Sequence, residues 1–106
     1  MKKIYVDADA CPVKDEIKKI AIRNKISTYM VCNGGIRPFK NILINLVIVS
    51  EGADEADKWI SNNVSANDIV ITADIPLAAK CLYKGANVLK HDGHIFTLNN
   101  MGHLLA

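Results

Sequence analysis

The chain has 106 residues, of which 13 are Lys or Arg, 11 are Asp or Glu, and 50% are hydrophobic. This length fits one globular domain with one core, so we treat residues 1–106 as a single domain. The hydrophobic fraction excludes an intrinsically disordered chain, and a net charge of +2 is too small to indicate a nucleic-acid-binding protein by itself.

The cysteines and the apolar runs indicate the compartment. Cys11, Cys32 and Cys81 are odd in number and widely spaced, which argues against a disulfide framework and against a zinc site. Free thiols are typical of a reducing environment. No apolar run approaches the ~20 residues of a membrane-spanning helix. The apolar stretch near the start is broken at Asp7, unlike a signal peptide. We therefore expect a cytoplasmic, soluble protein without a membrane partner.

The first predicted strand, Ile4–Val6, runs directly into Asp7, and Asp9 follows after one intervening residue. Pro12 suits the first position of a helix, and the apolar residues after it recur on one helical face until about Asn24. Ligands of open α/β sheets bind at the carboxyl ends of the strands. This turn is therefore the first place to look for a site.

Two further strands follow, with a loop between them. Ser27–Cys32 is rich in residues that favour β-structure, and Ile44–Val49 is almost continuously apolar, as in a strand buried on both faces. The loop opens with Asn33-Gly34-Gly35 and contains two cations, Arg37 and Lys40. Backbone amides and cations of such a loop could hold a phosphate, although a plain flexible connection is the default interpretation.

The second half of the chain repeats the alternation of helix and strand. Asp54 is placed to begin a helix, and Asp68–Thr72 is an almost wholly apolar strand. Asp74 begins a further helix, which Gly85 can end. Ala86–Leu89 is a short fifth strand.

The last segment predicts a hairpin and a helix. The Asp-Gly pair within His91–His94 suits a two-residue turn, and Thr97 can cap a final helix over Leu98–Ala106. The alternation of buried strands and helices predicts a three-layer α/β sandwich with a mainly parallel, five-stranded sheet. We predict the strand order 3-2-1-4-5, with the hairpin and the C-terminal helix added to it.

Acidic residues follow predicted strands or begin the helices after them: Asp7, Asp9, Asp54, Asp57 and Asp74. In a parallel sheet these residues face one cleft, because right-handed crossovers bring the carboxyl ends of the strands to one edge. Like charges so close raise one another's pKa values, and a divalent cation removes that penalty. Ligands that are all oxygen favour Mg²⁺ or Mn²⁺ over zinc.

Structural roles compete with metal binding for most of these acids. Asp54 and Asp57 together make an ordinary helix start, and Asp74 also fits a helix cap. Asp9 could cap the first helix. Asp7 has no comparable local role, because it stands at the end of a buried strand.

Other polar residues are weaker candidates. Thr72 ends the fourth strand, where its hydroxyl could contact a phosphate or satisfy backbone groups. Cys11 lies near a helix N-terminus but has no histidine near it in sequence, so an inert thiol is the better interpretation. His91, His94 and His103 have no metal-ligand spacing, and surface or hairpin roles are favoured for them.

Four blocks of this sequence resemble the uncharacterised bacterial YaiI/YqxD family, which is assigned to the PIN-like nuclease superfamily. They are Val6–Ile17, Glu51–Ile60, Asp68–Ala86 and the tail from Asp92 to Gly102. The blocks are long, stand in family order and together span most of the chain. The resemblance is therefore specific.

The resemblance implies a PIN-like α/β sandwich with an acidic pocket. Asp7 would be the first-strand metal ligand, Asp74 the acid after strand four, and Asp54 and Asp57 the middle acids. The family has no settled activity, so nuclease activity is implied by the superfamily alone. Family members usually continue for some tens of residues through a charged helical region. Since this chain ends at Ala106, we expect a consequence for activity more than for fold.

The leading prediction is a metal-dependent phosphodiesterase, resembling a ribonuclease, that uses Mg²⁺ or Mn²⁺ to activate water. Its metal ligands would be Asp7, Asp54, Asp57 and Asp74. Its catalytic residues would be Asp7, Asp74 and Asp9, the last orienting a ligand or a water. RNA or another phosphodiester would be bound by further polar side chains: Asn33, Arg37, Lys40, Thr72 and Arg23.

Two alternatives stay open. Asp7-Ala8-Asp9 is similar to the strand-end motif of haloacid dehalogenase-like phosphatases, in which Asp7 would be the nucleophile and Asp9 the acid/base. The residues after Asp9 depart from that superfamily's usual pattern. In the other alternative, the domain binds RNA or a protein without catalysis.

Overall fold

The computed structural model describes residues 1–52 and 54–105. Within them lie the strands β1 Ile4–Asp7, β2 Thr28–Cys32, β3 Ile44–Ile48, β4 Ile69–Ile71, β5 Asn87–Leu89 and β6 Ile95–Phe96. The helices are α1 Lys14–Arg23, α2 Glu55–Asn63, α3 Ile75–Tyr83 and α4 Leu98–Leu105. The predicted helix end at Ala106 lies outside the described residues. No helix in the described part of the chain has the length and apolar character needed to cross a membrane.

The strands form one sheet in the order β3-β2-β1-β4-β5-β6. Neighbours from β3 to β5 pair in parallel, and β6 pairs antiparallel with β5. The predicted order 3-2-1-4-5 is confirmed. The predicted hairpin extends this sheet by a sixth strand. Because the first five strands are parallel, their carboxyl ends meet at one edge, which we call the carboxyl edge.

Both faces of the sheet are covered by apolar side chains, which explains the nearly continuous apolar strands. Tyr5, Val31, Val70 and Val88 belong to the core that the sheet forms with α2, α3 and α4. On the opposite face, α1 packs against residues such as Met30. Each fully buried aliphatic side chain stabilises the fold by about 1.5–3 kcal/mol relative to exposure. Helices packed on both faces therefore hold the sheet in place, and with it the carboxyl edge.

The first helix begins at Lys14, so the prediction that it begins at Pro12 is wrong. A 3-10 turn over Ala8–Ala10 follows β1 directly, and Pro12 lies in the turn after it. The Lys14 ammonium donates to the carbonyl oxygens of Ala8 and Cys11 at 3.3 and 2.8 Å. These bonds satisfy carbonyls of the turn and keep the chain at the carboxyl edge before the helix starts.

The helices α1 and α3 end in the same hydrogen-bonding arrangement but with different residues. After each helix, two amides return to carbonyls of the last turn, at 3.2 and 2.9 Å after α1 and at 2.9 and 3.1 Å after α3. The arrangement needs a positive φ, which is +86° at Gly85 and +56° at Lys25. Glycine adopts this conformation without a steric penalty, whereas lysine adopts it at a steric cost because it has a Cβ atom.

We expect Lys25→Gly to stabilise the protein by about 1 kcal/mol. It removes left-handed strain of about 1–2 kcal/mol, and the greater freedom of glycine in the unfolded chain offsets part of that gain. Lys25→Ala is the matched control, because it removes the charge and keeps the Cβ atom. Urea unfolding of the three proteins measures the effect. Equal gains for Gly and Ala would assign the effect to charge and contradict the strain explanation.

Candidate functional site

A pocket of about 230 Å³ opens at the carboxyl edge. Its lining includes Asp7 at the end of β1 and Cys11 beyond it, Thr72 and Asp74 after β4, and His91 after β5. These three strands are neighbours in the order β1-β4-β5, which is why segments distant in sequence share one pocket. The pocket lies where parallel α/β sheets bind their ligands.

Asp7 is held in the pocket by a buried threonine. The Thr72 hydroxyl, in a side chain with 3% exposure, donates to Oδ2 of Asp7 at 3.0 Å. The same hydroxyl accepts the backbone N–H of Asp74 at 3.0 Å. Thr72 was predicted to bind substrate, but its hydroxyl is engaged with the two acids. It orients one carboxylate and the turn that carries the other.

Burial raises the pKa of the Asp7 carboxyl above its ordinary value of 3.8. The charges of Asp74, Asp9 and Asp57 raise the pKa further, whereas the hydrogen bond from Thr72 lowers it. A raised folded-state pKa means that protonated Asp7 stabilises the fold at low pH, and that this stability is lost as pH rises through the folded pKa. At neutral pH the ionised carboxylate therefore costs stability, which a bound cation would recover.

Asp74 caps α3, as predicted, through one of its two carboxylate oxygens. Its Oδ1 accepts the backbone N–H of Leu77 at 2.9 Å, and Pro76 occupies the first turn of the helix. A carboxylate has about four acceptor positions on two oxygens, so one capping bond leaves capacity for a ligand. Asp74 is also half-buried and lines the same pocket as Asp7. These two acids form the carboxylate pair of the site.

The two middle acids, Asp54 and Asp57, have different surroundings. Asp57 is buried, and its Oδ1 accepts a hydrogen bond from the Lys80 ammonium at 3.1 Å. Asp54 is exposed at the start of α2, and its side chain makes no capping bond. The hydrogen bond and charge of Asp57 raise the pKa of Lys80, and the charges of Asp74 and Asp54 add to this. Lys80 is therefore a cation within the acidic cluster.

Asp9 and Asn33 connect the loops around the site. Oδ2 of Asp9 accepts the backbone N–H of Asn33 at 2.9 Å, and the Asn33 side-chain amide donates to the carbonyl of Ser50 at 2.8 Å. These residues follow β1, β2 and β3, so the bonds join three loops of the carboxyl edge. The first helix has Val13 at its cap position, and Asp9 is therefore not its cap.

The predicted substrate cations do not line the pocket. Arg37 and Lys40 are exposed on the segment that returns from β2 to the start of β3 at the opposite edge. Arg23 lies in the last turn of α1. Arg23 does not line the pocket, because α1 runs away from the carboxyl edge to reach the start of β2.

Within residues 1–52 and 54–105, no group of three or more His, Cys, Asp or Glu side chains is arranged to hold a metal ion. Asp7 and Asp74 by themselves form an oxygen-only pair. Mg²⁺ fits such a pair, because it keeps several waters and commonly uses one or two carboxylates together with substrate phosphates. The donor set is therefore suited to a hydrated Mg²⁺ or Mn²⁺ rather than to an all-protein cage.

Comparison with known proteins identifies the family. The profile described as "Uncharacterized BCR, YaiI/YqxD family" matches residues 5–106. The chain belongs to the YaiI/YqxD family. UPF0178 proteins of Roseobacter denitrificans, Ruegeria pomeroyi and Parvibaculum lavamentivorans are 51%, 52% and 52% identical to it over 106 residues. The alignments cover 100% of this chain and 70%, 69% and 70% of those relatives. No solved structure matches the chain.

The sequence favours a surface or hairpin role for His91, whereas the structure of this YaiI/YqxD protein places it in the lining of the pocket. His91 is half-buried and lies two residues beyond β5. The backbone N–H of Thr72 donates to the carbonyl of Leu89 at 3.0 Å, which holds the ends of β4 and β5 together. The predicted strand order already placed the fifth strand beside the fourth, and that adjacency was the available signal. The side chain of His103 lies outside the described part of the chain.

The thiols of this YaiI/YqxD protein agree with the sequence prediction. Cys11, Cys32 and Cys81 are free and buried. Burial is the largest cause that raises the pKa of Cys81, to about 11. A thiol with so high a pKa stays protonated at neutral pH, so it is a poor nucleophile and a poor metal ligand.

Proposed function

We propose that this YaiI/YqxD protein is a metal-dependent phosphodiesterase of the PIN-like nuclease kind, with ribonuclease-like activity on RNA. The observation that carries the proposal is the state of Asp7. It is a half-buried carboxylate at the end of β1, its pKa is raised, and Asp74 shares its pocket. A carboxyl group with a perturbed pKa in a pocket, with a second carboxylate beside it, is typical of a functional site.

The two carboxylates would hold Mg²⁺ or Mn²⁺ through the oxygens that Thr72 and the amide of Leu77 leave available. When bound, the ion would lower the pKa of a water and neutralise charge on the phosphate. The chain's own contribution is pre-organisation. Thr72 fixes the orientation of Asp7, and the cap of α3 fixes Asp74. Ligands that are already oriented reach the reactive geometry with a smaller entropy cost.

The size of the pocket supports a polymeric substrate. At about 230 Å³, it is smaller than the roughly 300–1,000 Å³ of pockets that enclose a whole small molecule. It therefore suits one group of a larger substrate, such as a single phosphodiester of an RNA strand. The rest of such a strand would lie on the surface outside the pocket.

The phosphatase alternative gains no support from the site. It requires Asp9 as the acid/base, but Asp9 does not line the pocket and accepts the N–H of Asn33. The other alternative, binding of RNA or a protein without catalysis, is also not favoured by a specific feature of the site. Arg37 and Lys40 do not line the pocket, so they give this alternative no support at the site.

Calorimetric titration with Mn²⁺ and an RNA cleavage assay together test the proposal. We expect one Mn²⁺ to bind per chain, and a fluorescently labelled single-stranded RNA to be cleaved with Mg²⁺ or Mn²⁺ but not with chelator. Double-stranded DNA of the same length serves as the substrate control. Binding of no Mn²⁺, or cleavage that persists in chelator, would contradict the proposal.

Lys80 is expected to compete with a divalent cation for the acidic cluster. We expect Lys80→Gln to increase the affinity for Mn²⁺ by roughly 2- to 10-fold, because it removes a positive charge and frees the carboxylate of Asp57. Lys84→Gln is the matched control, since Lys84 lies on the adjacent turn and donates to the carbonyl of Ser61 instead. Calorimetry on the three proteins measures the affinities. Equal changes in both variants would show that Lys80 has no specific effect.

A further inference from the structure

His91 and Asp7 line the same pocket from strands on either side of β4. The strands β1 and β5 lie on either side of β4, so residues at their carboxyl ends are separated by two strand spacings, or about 10 Å. Asp7 and His91 therefore flank the segment that carries Thr72 and Asp74. All four residues line the same pocket.

A closed turn holds His91 at this position. The N–H of Lys90 donates to the carbonyl of His94 at 2.8 Å, and the N–H of Gly93 donates to the carbonyl of Lys90 at 2.9 Å. Oδ1 of Asp92 accepts the N–H of His94 at 3.0 Å. Three hydrogen bonds across so short a loop restrict its movement. His91 is thus held at the pocket on a defined backbone.

The imidazole has no protein role that accounts for its position. In the described part of the chain, no hydrogen bond is made by the His91 ring, and the ring joins no three-residue group that could hold a metal ion. By contrast, the neighbouring His94 is exposed and its ring lies edge-on to Phe96, with 6.1 Å between the centroids. His91 is therefore available to a molecule bound between it and the carboxylates.

In a phosphodiester displacement, the attacking and leaving oxygens lie roughly in line on opposite sides of the phosphorus. Water would be activated beside Asp7, at one end of the pocket, so the leaving oxygen would point towards the end that His91 lines. We infer that His91 is a catalytic residue that donates a proton to this leaving oxygen. The inference rests on the proposed phosphodiesterase function and adds the group that completes bond cleavage.

The step balances as a hydrolysis. The water oxygen forms a bond to phosphorus while the bond from phosphorus to the leaving oxygen breaks. The leaving oxygen takes its proton from His91, and the proton lost by the water passes to solvent. His91 then recovers a proton from solvent. Positioned acids of this kind typically contribute about 10²- to 10⁴-fold to the rate.

Two substrates with different leaving groups test the role of His91. A ribonucleotide leaving oxygen needs a proton as it departs, whereas the nitrophenolate of bis(p-nitrophenyl) phosphate departs without one. We expect His91→Gln to lose about 10²- to 10⁴-fold in kcat with RNA and to keep most of its rate with the nitrophenyl ester. His94→Gln, from the same turn, is the matched control and should retain both rates. Asp7→Asn should lose both.

The outcomes separate the two proposals. If the wild type cleaves neither substrate, the phosphodiesterase proposal fails, and the role of His91 fails with it. If the wild type cleaves both, then equal losses in His91→Gln, or no loss at all, overturn the role of His91 alone. NMR of the wild-type imidazoles, with Mg²⁺ and inorganic phosphate as the probe, needs no variant. The ring signals of His91 should shift and those of His94 should not, and an unshifted His91 would overturn the inference.

Discussion

Asp7→Asn is expected to abolish divalent-metal binding and RNA cleavage while leaving the fold at least as stable as the wild type in chelator at neutral pH. Burial and the neighbouring acids disfavour the ionised Asp7, and a neutral amide removes that cost. The Asn oxygen can still accept the hydrogen bond from Thr72. We expect metal affinity to fall by more than about 100-fold. Loss of a residue that only hydrogen-bonds to a metal ligand already lowers metal affinity by about 10–100-fold.

Melting curves with and without Mn²⁺ measure both parts of this prediction. At 100 times the dissociation constant, Mn²⁺ should stabilise the wild type by about 2.7 kcal/mol. For a domain of this size, that corresponds to a rise of roughly 10–20 °C in Tm. The variant should gain far less. If Asp7→Asn melts well below the wild type in chelator, Asp7 is a structural hydrogen-bond acceptor and the proposed function loses its main support.

The dependence on pH provides an internal control for Asp7. The folded-state pKa of Asp7 is raised above 3.8. The stability that protonated Asp7 contributes is therefore complete below about pH 3.8 and is lost as pH rises through the folded-state pKa. The stability of Asp7→Asn relative to the wild type should therefore increase from about pH 4 to pH 7 in chelator. A difference that does not change over this range would contradict the raised pKa.

Asp68→Ala is expected to destabilise the fold by about 3 kcal/mol or more without acting at the pocket. Asp68 has 3% exposure and precedes β4 at the edge opposite the pocket. Its two oxygens accept the backbone N–H groups of Lys3 and Ser65 at 3.0 and 2.8 Å. Hydrogen bonds to a charged group contribute about 1.5–3 kcal/mol each, and the variant leaves both amides without their acceptor.

Urea unfolding measures the effect of Asp68→Ala, with Asp15→Ala as the control. The Asp15 side chain is 84% exposed and lies 3.7 Å from the Lys18 ammonium. An exposed carboxylate in so long an ion pair contributes little, so the control should change stability by less than about 1 kcal/mol. A similarly small loss for Asp68→Ala would show that water replaces its bonds. Mn²⁺ affinity measured at a temperature where Asp68→Ala remains folded should equal that of the wild type.

Asp7 and Asp68 show why sequence alone could not rank the acids. Each adjoins a short apolar strand, so the local patterns are alike. Asp68 accepts a hydrogen bond from the backbone N–H of Lys3, which is 65 positions away in sequence. The threonine that donates to Asp7 is also 65 positions away from it. Whether a carboxylate is satisfied by amides or left with spare acceptors depends on these distant partners.

The sequence by itself determined the features that act within a few residues. Apolar periodicity predicted the strands and their parallel order, because buried strands and right-handed crossovers allow few arrangements. The caps at Asp74 and Gly85 follow from side-chain and backbone chemistry inside one helical turn. Asp7 was placed at the carboxyl edge for the same reason, since it ends an apolar strand.

Only the tertiary structure decided which residues share the pocket. Lys80 pairs with Asp57 across 23 positions because α2 and α3 pack side by side, and Asp9 is engaged by Asn33 across 24 positions. His91 lines the same pocket as the acids because β5 lies beside β4 and a closed turn holds the chain there. Such contacts depend on strand register and helix packing over the whole domain. No pattern within a short stretch of sequence specifies them.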